Sequence, residues 1–289
     1  EFEEVYNETV VELNLTNVVE VEAIVQAPAV NDPFPTFTPT DTLKPSSRPS
    51  DTITPSQSPT EGPSQGPSSF GITRQYLIDL IQRRMSTTTF VDEASPQSQA
   101  LDWLSNDDYT LTSTPTLSDD QLVQRFALAT FYYAVARTSE VFAETWLTST
   151  DECQWSGINC FLFDEILTPF VMRLDVIFGG LSGSLPPEMG LLTSLTALSL
   201  SENRLAGTVP LELYSLTELK SLLLNENQFM GTIPTEINQL TNLDRLVLGS
   251  NQFNGTIPTV SMLALLTTFD LSNNGLTGRI PSRLSAKLE

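Results

Sequence analysis

A 24-residue repeat fills the second half of the chain and constrains its fold more than any other feature. Complete copies run from Leu195 to Glu218 and from Leu219 to Asn242. The next copy starts at Leu243 and is one residue short, another starts at Leu266, and a degenerate copy precedes them all at residues 171–194. The shared pattern is L-x-x-L-x-L-x-x-N-x-L-x-G-x-I-P. Five copies at nearly constant spacing indicate a stack of similar structural units.

The leucines of the pattern predict how one unit packs. In L-x-x-L-x-L they point to one side of a short strand, while the intervening residues point to the other side. One unit cannot bury its leucines alone, so neighbouring units must stack and form a parallel sheet along one face. We expect the asparagines inside the coil, where an amide can bond backbone groups that the turn leaves unpaired. They are Asn203, Asn227, Asn251 and Asn274, and Gly179 replaces the asparagine in the first copy, so this ladder should begin at the second coil.

Glycine and proline shape the remainder of each unit. The glycine of L-x-G-x-[IVL]-P permits a bend that a side chain would strain. It recurs as Gly183, Gly207, Gly231, Gly255 and Gly278. The proline that follows ends the extended segment and starts the convex side of the coil.

Charge and residue usage argue against several classes of function. The formal net charge is −21, and residues 1–170 carry most of it, with 25 acidic and 7 basic residues. Phosphates would be repelled, so we expect no nucleic-acid partner, and anionic membrane surfaces are disfavoured for the same reason. The chain has no histidine and two cysteines, which removes Ser-His-Asp chemistry and a four-cysteine zinc site. We therefore expect no enzyme, no cofactor and no bound metal.

Four segments are expected along the chain. Residues 1–27 are acidic, with alternating apolar residues, and should be weakly ordered. Residues 28–70 contain ten prolines among Ser and Thr and should form a disordered linker, either a plain spacer or an O-glycosylated stalk. Residues 71–170 should form a helical cap, and residues 171–289 the repeats. No apolar run is long enough to span a bilayer. An anchor or signal peptide before Glu1 is compatible with the sequence. The sequence does not indicate the oligomeric state.

The helices of the cap carry start signals. Ser95 before Pro96 predicts one helix start, and Ser118 with Gln121 forms a capping box before another. The helix that follows Ser118 is apolar nearly all round, so we expect it to be buried. An open solenoid end would expose leucines, and these helices are expected to cover it.

A second motif, D-E-C-Q-W-S-G-I-N-C, occupies residues 151–160 and places Cys153 and Cys160 seven apart. A close cysteine pair can be a redox site or a structural staple. Redox pairs are usually spaced C-x-x-C, so the observed spacing favours the staple.

Together, C-x-W-x-G-I-x-C and the repeat pattern resemble the plant-type leucine-rich repeat ectodomains, over roughly residues 146–289. The segments SPQSQALDWLSND and LVQRFALATFYYA, behind a Pro/Ser/Thr-rich stalk, are similar to leucine-rich repeat proteins of diatoms. The resemblance implies an α/β solenoid, that is, a right-handed leucine-rich repeat with a parallel sheet on the concave face, after an α-helical N-terminal cap. It also implies a Cys153–Cys160 disulfide that closes the cap, and a second set of short strands formed by L-x-G-x-I-P.

The resemblance further implies an extracellular recognition surface, secreted or on a single-pass receptor-like protein, for a protein, peptide or polysaccharide ligand. The candidate contacts are the outward strand positions, which include few aromatic anchors: Asp175, Ile177, Phe178, Ser199, Ser201, Glu202, Leu223, Asn225, Glu226, Val247, Ser250, Asp270, Ser272 and Asn273. Among them, Phe178 and Leu223 are the expected apolar contacts, and Glu202, Glu226 and Asp270 the polar ones. The same positions would also suit the merely solvated side of a sheet. The predicted N-glycosylation sites are Asn7, Asn14 and Asn254.

Two other functions are weaker alternatives. A structural or adhesive cell-wall or matrix protein, bridged by calcium, would suit the long stalk and the acidic N-terminal half, but the sequence has no EF-hand loop. Glycoside hydrolysis would need two carboxyl groups held in a pocket. The acidic pairs Asp107–Asp108 and Asp119–Asp120 instead fit helix starts or solvated turns.

Overall fold

The computed structural model describes residues 72–112, 117–139, 142–161 and 170–281. The acidic segment 1–27, the linker 28–70 and the sequons at Asn7 and Asn14 lie outside the described residues. The described chain forms an α/β solenoid of five coils that follows a group of helices, which is the fold class that the repeats predict.

Two sheets run along the solenoid. The larger, concave sheet contains, in spatial order, β1 (Ile158–Phe161), β2 (Phe170–Asp175), β4 (Ala197–Ser199), β6 (Ser221–Leu223), β8 (Arg245–Val247) and β10 (Thr268–Asp270). The second contains β3 (Ser182–Gly183), β5 (Arg204–Gly207), β7 (Gln228–Thr232), β9 (Gln252–Thr256) and β11 (Gly275–Thr277). Strand β1 pairs antiparallel with β2, and the other neighbours pair parallel. The second sheet confirms the extra set of strands that the resemblance implies.

Leucines fill the coil interior as predicted. Leu198, Leu222 and Leu246 lie in register on neighbouring strands and are at most 1 % exposed. Where phenylalanine replaces the leucine after the asparagine, Phe229 and Phe253 stack with ring centroids 6.3 Å apart. Short 3-10 helices form the convex side of three coils: Pro187–Leu191, Leu211–Ser215 and Thr235–Gln239. The shortened fourth coil has turns there instead.

The asparagine ladder inside the coils is confirmed. Asn227 Nδ2 donates to the carbonyl oxygens of Leu200 at 2.8 Å and of Leu224 and Asn225 at 3.2 Å. Asn227 Oδ1 accepts from the Leu205 amide at 2.9 Å. One side chain therefore satisfies backbone groups of two successive coils. The same pattern recurs at Asn203, Asn251 and Asn274.

The first coil has no interior asparagine of its own, because Gly179 occupies that position in the sequence. Gly179 is buried, and a Cβ there would lie 2.4 Å from Val176 Cγ1 and 3.2 Å from the Phe142 ring. The Ser139 hydroxyl donates to the Gly179 carbonyl oxygen. Residues from the segment before the repeats therefore occupy the place of the missing asparagine. The predicted bends also form, with φ from 78° to 108° at Gly183, Gly207, Gly231, Gly255 and Gly278.

Four α-helices and one π-helical turn precede the coils: α1 (Arg74–Arg84), α2 (Pro96–Asn106), α3 (Asp108–Thr112), α4 (Asp119–Phe131) and Tyr132–Ala136. Ser95 caps α2, with Pro96 as its first residue, and Ser118 forms the predicted capping box with Gln121 at the start of α4. Residues 121–131 of α4 are all buried, which confirms the prediction for this helix.

Aromatic residues continue the leucine core into the helices. Phe131, Trp146 and Trp155 belong to the same continuous buried cluster as Leu174 and Leu198. The indole of Trp146 lies 5.4 Å from that of Trp155 and 5.7 Å from the ring of Phe131. These contacts cover the first coil, where the solenoid would otherwise expose apolar side chains.

A buried arginine on α4 joins the helices to the cysteine motif. Arg125 is 0 % exposed, and its guanidinium donates to Asp107 Oδ2 at 2.8 Å and to Glu152 Oε2 at 2.6 Å. Its Cζ atom lies 4.7–5.3 Å from the ring centroids of Tyr109, Trp103 and Trp155. Burial raises the pKa of Glu152, and the charge of Arg125 opposes that shift. Because Glu152 directly precedes the first cysteine, this network holds the cysteine loop against α4.

The acidic pairs expected at helix starts lie in two settings. Asp119 and Asp120 are in the first turn of α4, as expected. Asp107 precedes α3 and accepts from the Thr110 amide at 2.9 Å. It is not solvated, because its carboxylate is buried against Arg125.

Cys153 and Cys160 form a disulfide with Cα atoms 5.5 Å apart. Cys153 lies in a 3-10 turn (Glu152–Gln154) and Cys160 on β1. The bond therefore ties the turn that carries Glu152 to the outermost strand of the concave sheet.

Removal of this disulfide should lower stability moderately. A Cys153→Ser/Cys160→Ser double variant is expected to lose about 2.5 kcal/mol of unfolding free energy, because the bond closes a short loop in the unfolded chain. Urea unfolding of the oxidised protein and of the variant measures the difference. Identical midpoints and slopes for the two would show that the bond is not formed in the purified protein or carries no stability.

Candidate ligand-binding face

The outward side of the larger sheet is a concave face made of aligned rows of side chains. On each strand the residues on either side of the central, inward residue point outward; that residue is a buried leucine on β2, β4, β6 and β8 and the half-buried Phe269 on β10. The first row contains Arg173, Ala197, Ser221, Arg245 and Thr268, and the second contains Asp175, Ser199, Leu223, Val247 and Asp270. Neighbours within a row are about 4.8 Å apart. The exposure of each side chain therefore depends on residues contributed by the adjacent coils.

Backbone hydrogen bonds keep the coils aligned for two more rows beyond the strand ends. The Phe178 amide donates to Ser201 O at 3.3 Å, and the Glu202 amide donates to Asn225 O at 3.0 Å. The third row contains Ile177, Ser201, Asn225, Gly249 and Ser272. The fourth row, which we call the left-handed column, contains Phe178, Glu202, Glu226, Ser250 and Asn273.

All five residues of the left-handed column have φ between 51° and 58°. This conformation costs an L-residue roughly 1–2 kcal/mol. Of the residue types present, only Asn273 adopts it readily. The sequence therefore gave no sign of the column, which forms because the backbone must turn here in every coil.

The predicted contact residues differ in the surface that they offer. Three are exposed, namely Phe178, Glu226 and Asn273, and Phe178 reaches 71 %. Eight are half-buried: Asp175, Ile177, Glu202, Leu223, Asn225, Val247, Ser250 and Asp270. Three are buried and not exposed as expected: Ser199, Ser201 and Ser272. Ser199 and Ser201 are short residues between longer ones in the same row, so their neighbours cover them.

Asp270 is already engaged within its own coil. Its Oδ1 accepts from the Ser272 amide at 2.8 Å. A Cβ on Gly249 would lie 2.6 Å from Asp270 Oδ2, so the carboxylate leans across the glycine of the preceding coil. Asp270 therefore offers a ligand less than the other two acidic residues predicted as contacts.

Those two glutamates stand side by side in the left-handed column. Neither Glu202 nor Glu226 forms an ion pair within the described part of the chain. Burial raises the pKa of Glu202, and the negative charge of Glu226 raises it further. A cation placed at this end of the face would be attracted by both carboxylates.

Two arginines of the first row were not among the predicted contacts. Arg173 Nε lies 3.1 Å from Asp175 Oδ2 in an exposed ion pair, which adds little stability. The side chain of Arg245 is exposed. It lies in the same row as Ala197, on the strand of the fourth coil. The alternation that predicts the second row predicts the first as well, since both flank the same buried leucine.

A cleft of about 630 Å³ lies away from this face, between the helices and the convex side of the first two coils. Met85, Val123, Phe170 and Leu192 contribute apolar surface to it, and none of the predicted contact residues lines it. Within the described ranges, no group of three acidic or cysteine side chains is placed to hold a metal ion.

Comparison with known proteins places the repeats in a family. The family model described as Leucine Rich Repeat matches residues 194–216, 218–240 and 265–286. No curated protein matches the chain.

Solved structures match over a longer stretch. A chain of the BIR3–SERK2 complex from Arabidopsis thaliana is 30 % identical over 55 % of this chain and 86 % of its own length, with a TM-score of 0.50. The BIR2 ectodomain from Arabidopsis thaliana is 31 % identical over 55 % of this chain and 83 % of its own, with a TM-score of 0.51. The PEPR1–AtPEP1 structure gives 32 % identity and a TM-score of 0.51, over 59 % of this chain and 23 % of that one. The chain therefore belongs to the leucine-rich repeat proteins, and its described fold is similar to that of plant receptor ectodomains.

Proposed function

We propose that this chain is an extracellular recognition module that binds a protein or peptide ligand on its concave face. The observation that carries the proposal is the division of the larger sheet. One side is committed to the leucine core, while the other presents aligned rows whose residues differ from coil to coil. Rigid elements that display variable side chains are well suited to binding. The proposal includes no catalytic step.

An oxidising location is supported by the disulfide, since such bonds persist in secreted and cell-surface proteins. The similarity to plant receptor ectodomains supports the same location. Of the three sequons, Asn254 lies on β9 with its side chain exposed, where a glycan can be attached. No helix in the described part of the chain is both long and apolar enough to cross a membrane.

The ligand class is proposed from the neighbours and from the shape of the face. The BIR3–SERK2 complex and the PEPR1–AtPEP1 structure each bring two partners together, which supports a macromolecular ligand. Five parallel strands give a ledge about 20 Å across, and that size suits a peptide or a short segment of a protein. A wall polysaccharide is the other ligand that a shallow, polar ledge could take.

Reversal of two charges on the face should abolish recognition of a ligand that is basic or polar. We expect a Glu202→Arg/Glu226→Arg double variant to lose at least about tenfold in affinity, because an approaching cation would meet repulsion in place of attraction. The oxidised protein is first screened against a library of secreted peptides by biolayer interferometry, and the captured peptide is then titrated.

Glu212→Arg/Glu236→Arg is the matched control, because both residues lie in the 3-10 helices of the convex side. Equal loss from the two double variants would show that the concave face is not the binding surface. Capture of wall polysaccharide but of no peptide would favour the structural or adhesive alternative.

A further inference from the structure

In the second and third rows of the concave face, the second coil carries smaller residues than both neighbouring coils, and these positions define a narrow slot. The floor of the slot is Ser199 and Ser201; Ser201 lies between Ile177 and Asn225, and its hydroxyl donates to Asn225 Oδ1 at 2.6 Å. In the second row, Ser199 stands between Asp175 of the first coil and Leu223 of the third. The walls are therefore built by residues that extend beyond the floor on both sides.

The hydroxyl of Ser199 on this floor has no partner. Leu198 and Leu200 on either side are 0 % exposed, so alternation points Ser199 toward the concave face. Yet Ser199 is 4 % exposed, and within the described structure its Oγ atom makes no hydrogen bond. A covered hydroxyl without a partner costs free energy, and such groups are rare in folded proteins. A ligand group that displaces the covering side chains of Asp175 and Leu223 and reaches the floor would supply the missing bond.

One end of the slot is negatively charged and aromatic. Glu202 closes it there, between Phe178 of the first coil and Glu226 of the third. The two carboxylates have no cation of their own in the described residues. The Phe178 ring is 71 % exposed, so packing does not explain its presence. Carboxylates and an aromatic ring are the groups that attract an organic cation.

We propose that this slot binds a lysine or arginine side chain of the partner protein or peptide. The aliphatic stem would lie over Ser201, and the cationic head would sit between Glu202 and Glu226. The ring of Phe178 covers that head, and the Ser199 hydroxyl bonds the peptide backbone from which the side chain projects. The inference rests on the proposed function, since it assigns one contact within the same face.

The other charges nearby agree with this assignment. Asp175 on the wall is already paired with Arg173, so it does not compete for the ligand's cation. Burial raises the pKa of Glu202 and the negative charge of Glu226 raises it further, and a bound cation would relieve the repulsion between the two carboxylates. Binding should therefore weaken as the pH falls through this raised pKa, at a higher pH than an ordinary glutamate would require.

Three capped peptides test the slot: Gly-Gly-Lys-Gly-Gly and its counterparts with norleucine or glutamate in place of lysine. They are titrated into isotope-labelled, oxidised protein and followed by NMR, which detects weak binding. We expect the lysine peptide to bind at least about tenfold more tightly than the norleucine peptide, which has the stem without the charge. The shifted amides should be those of Ser199, Glu202 and Glu226.

Substitutions then separate the parts of the slot. Glu202→Gln/Glu226→Gln should weaken the lysine peptide by about tenfold or more, and Phe178→Leu by about three- to fivefold. Ser199→Leu should remove binding by filling the floor. Glu212→Gln/Glu236→Gln on the convex side should leave it unchanged, and thermal unfolding of each variant confirms that it is folded.

Equal affinity for the lysine and norleucine peptides would overturn the proposal, and so would lysine binding that survives the double glutamine variant. Neither result affects the proposed function. The proposed function is contradicted by a different result: unchanged capture of library peptides by the Glu202→Arg/Glu226→Arg variant.

Discussion

An Arg125→Met variant is expected to lose about 3–5 kcal/mol of unfolding free energy, since that is the cost of breaking a buried ion pair by removing one partner. Arg125 is fully buried and bonds two carboxylates, on Asp107 and Glu152. Methionine fills most of the space but leaves both carboxylates in a place that water does not reach. The loss should fall at the upper end of the range, because one arginine serves two acidic groups.

The size of this effect depends on burial and not on the ion pair as such. Arg84 offers the matched control: its guanidinium lies 2.7 Å from Asp120 Oδ1, but both side chains are about half exposed. Arg84→Met should therefore cost about 0–1 kcal/mol. Urea unfolding followed by tryptophan fluorescence reports directly on this region, because the Trp103 and Trp155 rings lie against Arg125.

Two further substitutions separate the contributions of charge and of packing to this loss of stability. Adding Asp107→Asn and Glu152→Gln to Arg125→Met removes the stranded charges and should recover a large part of the lost stability. If the triple variant is no more stable than Arg125→Met, the loss comes from the aromatic contacts of the guanidinium and not from its carboxylates.

Loss of one interior asparagine should lower the unfolding free energy nearly as much as loss of Arg125. We expect Asn227→Leu to lower the unfolding free energy by about 3 kcal/mol, because it removes every bond of the amide while leaving its backbone partners in the core. The carbonyl oxygens of Leu200, Leu224 and Asn225 would each lose the Asn227 donor, and the Leu205 amide would lose its acceptor. Chemical denaturation of the purified variant gives the value.

Asn254→Leu is the control for the change in chemistry. Asn254 is exposed on β9, so its replacement should change stability by no more than about 0.5 kcal/mol in protein made without glycosylation. A comparable loss for both variants would mean that leucine is poorly tolerated anywhere on the coil, and that the interior bonds are not the cause.

The parts of the fold that the sequence predicts are those in which one residue type has one task. Asn227 could be placed inside the coil because its pattern position, its amide and the turn all require the same location. The capping box of Ser118 with Gln121 is equally local, since both partners lie within one helical turn. Repetition adds confidence, because the same task recurs every 24 residues.

The parts that escape prediction depend on residues far apart in the chain. In the sequence, Arg125 is a single charged residue within an apolar helix. Its partners Asp107 and Glu152 lie 18 and 27 residues away, so no local pattern links them to it. The exposure of Ser199 is set by Asp175 and Leu223, which the sequence places one coil before and one coil after. Glu202 and Phe178 give no sign of positive φ, since neither residue type favours it.

The missing rung at Gly179 has a consequence for the order in which the chain folds. The second coil has an asparagine of its own, but the first depends on Asn203 of the next coil and on Ser139 and Phe142 from the segment before it. These residues leave the ribosome earlier than any repeat. The helices are thus synthesised before the first coil, and they are available to cover its apolar side when it emerges.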